Sequence, residues 1–350
     1  MRERSASTFP ASVRCALSGG FDSRLLFAAM RAAGTTPELH VYGHEGDEDV
    51  GVASTVARAL GVPLHHVDKR ALARTLAPLD ARTLIERIRF FDGIPTDGVF
   101  DRGEDRDTRL RQSAGGAIAL NGGGGEVMRN FFYLADRAYT VGQVVQTFYG
   151  NHDPAVTRRA ADLTSYADAL AESISAQIGH GGILARDEVE AVYPLFRARF
   201  WTSRNNTLAA RCGHFLTPLL DPPLVRLALA LPLAWKDYGR FEGRLIAALD
   251  PALGALPLSY GFAPVDGPSR SYAAKMWLQH RRPPWLRART VRLKRLAGRL
   301  PAPVACEDAR ALVTGKRRID DLIDLARLAD SEQLERALTL EVVLREWSID

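Results

Sequence analysis

From Ser12 to Asp68 the chain alternates between extended and helical patterns, and that alternation limits the fold more than any other feature. "SVRCALS" reads as a strand, "SRLLFAAMRAAG" as a helix closed by Gly34, and "ELHVYG" as a second strand. "DEDVGVASTVARALG" then reads as a second helix, acidic at its start and closed by Gly61, and "PLHHVD" as a third strand. Strand–helix–strand repeats of this length imply right-handed crossovers and a parallel sheet covered on both faces. "AGGAIALNGGGGEV" supplies another short apolar strand that ends in four glycines.

After about residue 150 the pattern turns helical. "ADLTSYADALAESISAQI", "FRARFWTSRNNTLAARCG", "PPLVRLALAL" and "GRFEGRLIAALD" have few β-branched runs, and the last segment, "DDLIDLARLADSEQLERALTLEVVLREW", is rich in helix formers. The expected organisation is an α/β domain over residues 1–150 and a helical domain over 151–350, in keeping with a length of 350 residues. No apolar run approaches the ~18 residues of a membrane span, and "MRERSASTFP" has no apolar segment of a signal peptide. Cys15, Cys212 and Cys306 are far apart and form no CxxC pair, which argues against a zinc site or a disulfide framework. A cytoplasmic, reduced protein is expected.

The net charge of +5 conceals a local excess. Between Asp266 and Glu307 there is no acid but ten Lys or Arg, all within 270–299, so the rest of the chain carries about −5. That stretch is either a solvated basic helix face or a docking face for an acidic partner, a nucleic acid or a carrier.

Between the first strand and helix lies "LSGGFDSR", Leu17 to Arg24. In an open parallel sheet, ligands bind beyond the carboxyl ends of the strands. Gly19 and Gly20 lack a Cβ, so backbone N–H groups can face a phosphate, and the helix N-terminus adds partial positive charge. Ser18 and Ser23 offer hydroxyls. Asp22 would repel a phosphate unless a cation lies between them, which a hard ion such as Mg²⁺ would provide. The loop is neither GxxxxGK[ST] nor GxGxxG.

"LSGGFDSR" resembles the pyrophosphate loop of the N-type ATP pyrophosphatases (PP-loop proteins), in the version carried by the asparagine synthetase family. "NGGGGEV" (Asn121–Val127) resembles that family's second glycine loop, and "TPLLDPPLVRLALALPLAWK" (Thr217–Lys236) its PFLD…LP…K segment. "YGRFEGRLIAALDPALGALP" resembles the helix that follows, so the resemblance covers most of residues 12–262. It implies a doubly wound parallel sheet of the adenine-nucleotide-binding type followed by a helical region. It further implies an ATP- and Mg²⁺-dependent ligase that adenylates a carboxylate, releases pyrophosphate and lets an amine form an amide. Carried over by position, Leu17, Ser18, Gly19, Gly20, Asp22 and Ser23 would hold the pyrophosphate, with Gly43 near the nucleoside. Asn121, Gly122, Gly123 and Gly124 would border the α-phosphate and second substrate, and Lys236 would sit near the phosphates. Asp22 and Glu126 would bind the metal.

Departures from the family pattern fall on the residues that would read the acceptor. Its second acid falls on Val127, and its catalytic lysine on Gly243, with Arg244 beside it as a charge stabiliser. The glutamate before PFLD falls on His214, which is either a base at neutral pH or a packed histidine. His65–His66 reads as structural. A substrate other than free aspartate is therefore expected, as a small-molecule or peptide carboxylate. Residues ahead of the first strand leave no room for the family's glutaminase domain, so the nitrogen would come from ammonia, a separate protein or the substrate's own amine. Two other readings stay open: a nucleotide-binding protein without turnover, and a PP-loop RNA-modifying enzyme.

Overall fold

The computed structural model describes residues 12–68, 80–94, 104–152, 154–158, 161–299, 317–328 and 331–347, with 313 and 315. Two compact units divide the chain. Unit 1 comprises Met1–Leu72, Arg109–Tyr139 and Ala176–Arg282; unit 2 comprises Ala73–Thr108, Thr140–Ser175 and Pro283–Asp350. The units thus interleave along the sequence instead of meeting once near residue 150.

Unit 1 is built on a five-stranded parallel sheet. Its strands are β1 (Val13–Ala16), β2 (Glu38–Gly43), β3 (Leu64–Asp68), β4 (Ile118–Leu120) and β5 (His214–Leu216), in the order β3-β2-β1-β4-β5. The chain proceeds from β1 towards one edge, then returns to the other side of β1 with β4. That reversal opens a crevice beyond the carboxyl ends of β1 and β4, the usual ligand position in open α/β sheets. The fold is therefore α/β, as the alternation implied. Directly after the segment that reads as helical, residues 214–216 form the strand that completes the sheet.

Local chemistry explains the first elements. Helix α1 (Phe21–Ala32) has Asp22 in its first turn and Arg31 in its last, each complementing the helix dipole. Its inner face buries Phe21, Leu25, Leu26, Phe27 and Ala28, with about 1.5–3 kcal/mol gained for each large apolar side chain. Helix α2 (Glu48–Leu60) opens on Glu48 and Asp49 and closes at Gly61, whose φ of 64° is left-handed. Further on lie α3 (Arg186–Val192) and α4 (Arg240–Leu249), the latter packed against α1. Arg24 of α1 is buried, donating to the carbonyls of Leu256 (3.0 Å) and Pro257 (2.9 Å), and burial lowers its pKa to about 10. This arginine ties the segment after α4 to the start of α1.

Unit 2 is helical among its described residues. Asp80 caps the helix Ala81–Phe90 by accepting from Thr83 N–H at 2.7 Å. The helix Val141–Phe148 packs on Pro284–Ala288, and Arg89 pairs with Glu346 at the end of Ser331–Glu346. Among the described residues no helix is long and apolar enough to cross a membrane. Cys15 and Cys212 are free thiols, and Cys306 lies outside the described residues.

Candidate functional site

Two loops meet at the crevice in unit 1. The β1 loop closes on itself: Ser18 N–H donates to Ser23 Oγ (3.0 Å), and the two hydroxyls lie 2.9 Å apart. Leu17 is buried and its N–H bonds His40 O, so it anchors the loop through its backbone and core packing. Gly122 of the β4 loop presses against the backbone of α1. A Cβ there would stand 2.8 Å from Ser23 N, and one at Gly125 would stand 2.2 Å from Asp22 Oδ1. Gly124 adopts φ 95°, and its missing Cβ makes room for Leu220. Asn121 Oδ1 accepts from Gly123 N–H at 2.6 Å. Ser18, Asp22, Ser23, Asn121, Gly122 and Gly123 line one cleft of about 290 Å³, which His40, Tyr42 and Asp49 complete.

Asp49 was not anticipated there. Its Oδ1 accepts from Gly19 N–H at 2.9 Å, so a carboxylate of α2 already occupies the anion position of the glycine loop. Ser259 and Tyr260, also not anticipated, pack against the loop. Ser259 N–H donates to Gly19 O at 3.0 Å, and the Tyr260 ring stacks on Phe21 at 5.1 Å.

Behind the cleft lies a charge cluster. Arg129 Nη2 bonds both oxygens of Asp22, at 2.8 and 2.6 Å, while Nε lies 3.1 Å from Glu242 Oε2 and Nη2 lies 4.0 Å from Glu126 Oε1. Glu126 Oε2 accepts from Tyr193 OH (2.7 Å) and Gly124 N–H (2.9 Å). Glu242 is wholly buried, and among the described residues no group donates to either oxygen with hydrogen-bond geometry. Burial pushes Glu242 well above the ordinary carboxylate range, Arg129 pulling the other way. A proton on Glu242 lets it donate to Asp22, which removes the orphaned acceptor. Burial also raises Asp22, against the pull of Arg129. Arg129 itself stays charged, its carboxylate neighbours outweighing the cost of burying it.

The resemblance implies a divalent ion between Asp22 and Glu126, and the donor set does not fit one. Both Asp22 oxygens face a guanidinium, one Glu126 oxygen carries two donors, and the second acid of the motif is the buried Val127. Among the described residues, no three His, Cys, Asp or Glu side chains converge as metal ligands. Near a protein surface each unit of charge at about 4 Å is worth roughly 4 kcal/mol. Arg129 therefore cancels the pull of one carboxylate on any approaching cation.

Four other expected residues lie elsewhere. Lys236 is buried, with Nζ 3.4 Å from Glu190 Oε2; Glu190 also accepts from Arg186 at 2.8 Å. Burial lowers the Lys236 pKa, and Glu190 opposes that fall. Its partner is thus a carboxylate of α3, an element whose approach the motif spacing does not reveal. His214 pairs in register with Ile118 at the amino end of β4, on the edge strand and exposed. It is therefore at the end of the strand away from the crevice. Arg244 is exposed and borders a separate groove with Ala234, Trp235, Arg240 and Phe241. The α4 face that carries Glu242 and Gly243 is buried, and Arg244 lies one residue round from it. A Cβ at Gly243 would meet Pro264 O at 3.2 Å, a tight contact on the buried face of α4. Gly43 does not line the cleft: a Cβ would meet Val50 at 2.8 Å, so its role is packing α2 on β2.

Of the residues the sequence did not single out, Arg129 carried one signal. It follows Glu126 by three positions, a spacing that lets two side chains meet across a turn. Nothing comparable marked Asp49, Tyr193 or Tyr260. In the basic stretch, Arg270, Lys275, Arg281, Arg289, Arg292, Lys294 and Arg299 are exposed, whereas Arg287 is buried.

No protein-family model matches the chain, and no curated protein matches it.

Proposed function

We propose that the chain is an ATP-dependent carbon–nitrogen ligase of the asparagine synthetase, PP-loop type, acting on a carboxylate other than free aspartate. The observation that carries this reading is the convergence of the Ser18–Ser23 and Asn121–Gly124 loops where the strand order reverses. In this reaction a carboxylate oxygen attacks the α-phosphorus of ATP and the bond to the β-phosphate breaks, releasing pyrophosphate. An amine then attacks the acyl carbon, AMP leaves with the bonding electrons, and the amine loses a proton. The α1 N-terminus and the Ser18 and Ser23 hydroxyls are suited to hold the departing pyrophosphate. A phosphate oxygen at Gly19 N–H would take the place of Asp49, one anion for another. Ammonia, an amine of the substrate or a separate protein supplies the nitrogen, and ATP as co-substrate suits a cytoplasmic enzyme.

A second reading is a nucleotide-binding protein without turnover. The burial of Lys236 against Glu190 favours it, since that lysine is withdrawn from phosphate.

The test is to incubate the purified chain with ATP, Mg²⁺, ammonia and a panel of carboxylates, and to assay pyrophosphate and AMP. The expected result is pyrophosphate release that depends on one acid and falls by about 10²-fold or more in Asp22→Ala. ATP binding with no pyrophosphate from any acid would establish the second reading instead.

A further inference from the structure

We infer that Arg129 is the resident cation of the phosphate site, so that this chain binds polyphosphate without a divalent ion between Asp22 and Glu126. The inference rests on the phosphate-site reading above and goes beyond it by naming the group that neutralises the ligand.

Three observations support it. First, the guanidinium is the charge that Asp22 faces: both carboxylate oxygens accept from its Nη2. Second, the cluster has an open side and a sealed side. The side chains of Arg129, Asp22 and Glu126 remain 19 %, 22 % and 26 % exposed, whereas Glu242 behind them is 0 % exposed. Arg129 Nη1 makes no hydrogen bond among the described residues, and Asp22, which Nη2 holds, lines the cleft. Third, a guanidinium N–H makes a charge-assisted hydrogen bond to a phosphate oxygen. Asp22, through two hydrogen bonds to Nη2, and Glu242, 3.1 Å from Nε, hold the guanidinium in place. Asp22 thus acts as the arginine's positioning residue, a role that keeps a carboxylate beside the glycine loop without repelling phosphate.

The experiment is calorimetric binding of inorganic pyrophosphate and of ATP to the full chain, once in excess EDTA and once in excess Mg²⁺. The expected result is that EDTA weakens binding less than about threefold. Arg129→Met should weaken binding in EDTA by about 30-fold, the size of one lost charge-assisted contact, with part recovered in Arg129→Lys. Pyrophosphate binding that collapses in EDTA and returns with Mg²⁺ overturns the inference and leaves the proposed function standing. That comparison uses the unmodified chain, so it decides the matter even if Arg129→Met does not fold. No binding of either ligand in either condition sinks the proposed function, and the inference with it.

Discussion

His40 makes the fold of unit 1 sensitive to acid by a predictable amount. The residue sits on β2 with 6 % exposure, its Nε2 3.0 Å from Gln112 Nε2. An amide N–H facing that nitrogen requires it to be an acceptor, so the ring is neutral with its proton on Nδ1. Burial lowers its pKa from 6.5 to about 4, with the charges of His65 and Arg14 adding to the effect. Above pH 6.5 the ring is neutral whether folded or unfolded, and it contributes nothing to pH dependence. Between 6.5 and 4 the unfolded ring takes up a proton that the folded ring refuses, so stability falls as pH falls. At about 1.4 kcal/mol per pH unit the loss reaches about 3 kcal/mol near pH 4. The assay is urea unfolding of wild type and His40→Gln at half-unit steps from pH 7.5 to 4.5. The stability difference between the two should narrow in favour of the variant by about 2–3 kcal/mol across that range. Parallel curves, or a histidine resonance assigned to His40 that titrates above pH 6, would refute the argument.

Two further outcomes follow from the site. Gly125→Ala places a methyl group 2.2 Å from Asp22 Oδ1. It should destabilise by about 1–3 kcal/mol and weaken pyrophosphate binding; an unchanged melting temperature would mean that the two loops are not in contact. Glu242 has its pKa raised by burial, so above the ordinary glutamate value the folded state holds a proton that the unfolded state has lost. Wild-type stability should therefore fall as pH rises through that raised value, at no more than about 1.4 kcal/mol per pH unit from this group. Glu242→Gln should lack this component when denaturant midpoints are compared from pH 5 to 9, and identical slopes would disprove it.

The sequence disclosed those parts of the fold that are written locally. A glycine–serine turn between an apolar strand and an amphipathic helix is a signal over twenty residues, and β1, α1 and the turn that joins them could be read from it. β5 could not, because "HFL" between Gly213 and Thr217 is too short to show a period and acquires strand structure only by pairing with β4. Asp22 was legible as a carboxylate in need of a cation. Its partner was not, since Arg129 reaches it across 107 positions of sequence. Lys236 carried the right type and spacing for phosphate, yet Glu190, 46 positions upstream, captures it. The compositional change near residue 150 is real, but composition does not say which segments pack together, and 176–282 returns to the unit that holds the sheet.

If the glycine loop binds phosphate as proposed, the carboxylate of Asp49 at Gly19 N–H makes ligand entry a displacement. An incoming anion gains the loop's donors only by releasing a side chain that already holds one of them, so its apparent affinity reports the difference between two occupants. Neutral ligands that use the rest of the cleft avoid that competition. The loop is thereby biased towards ligands carrying more than one negative charge, which can outcompete a single carboxylate. On the proposed reading, a loop arranged this way would stay quiet among ordinary monoanions and respond to a polyanion.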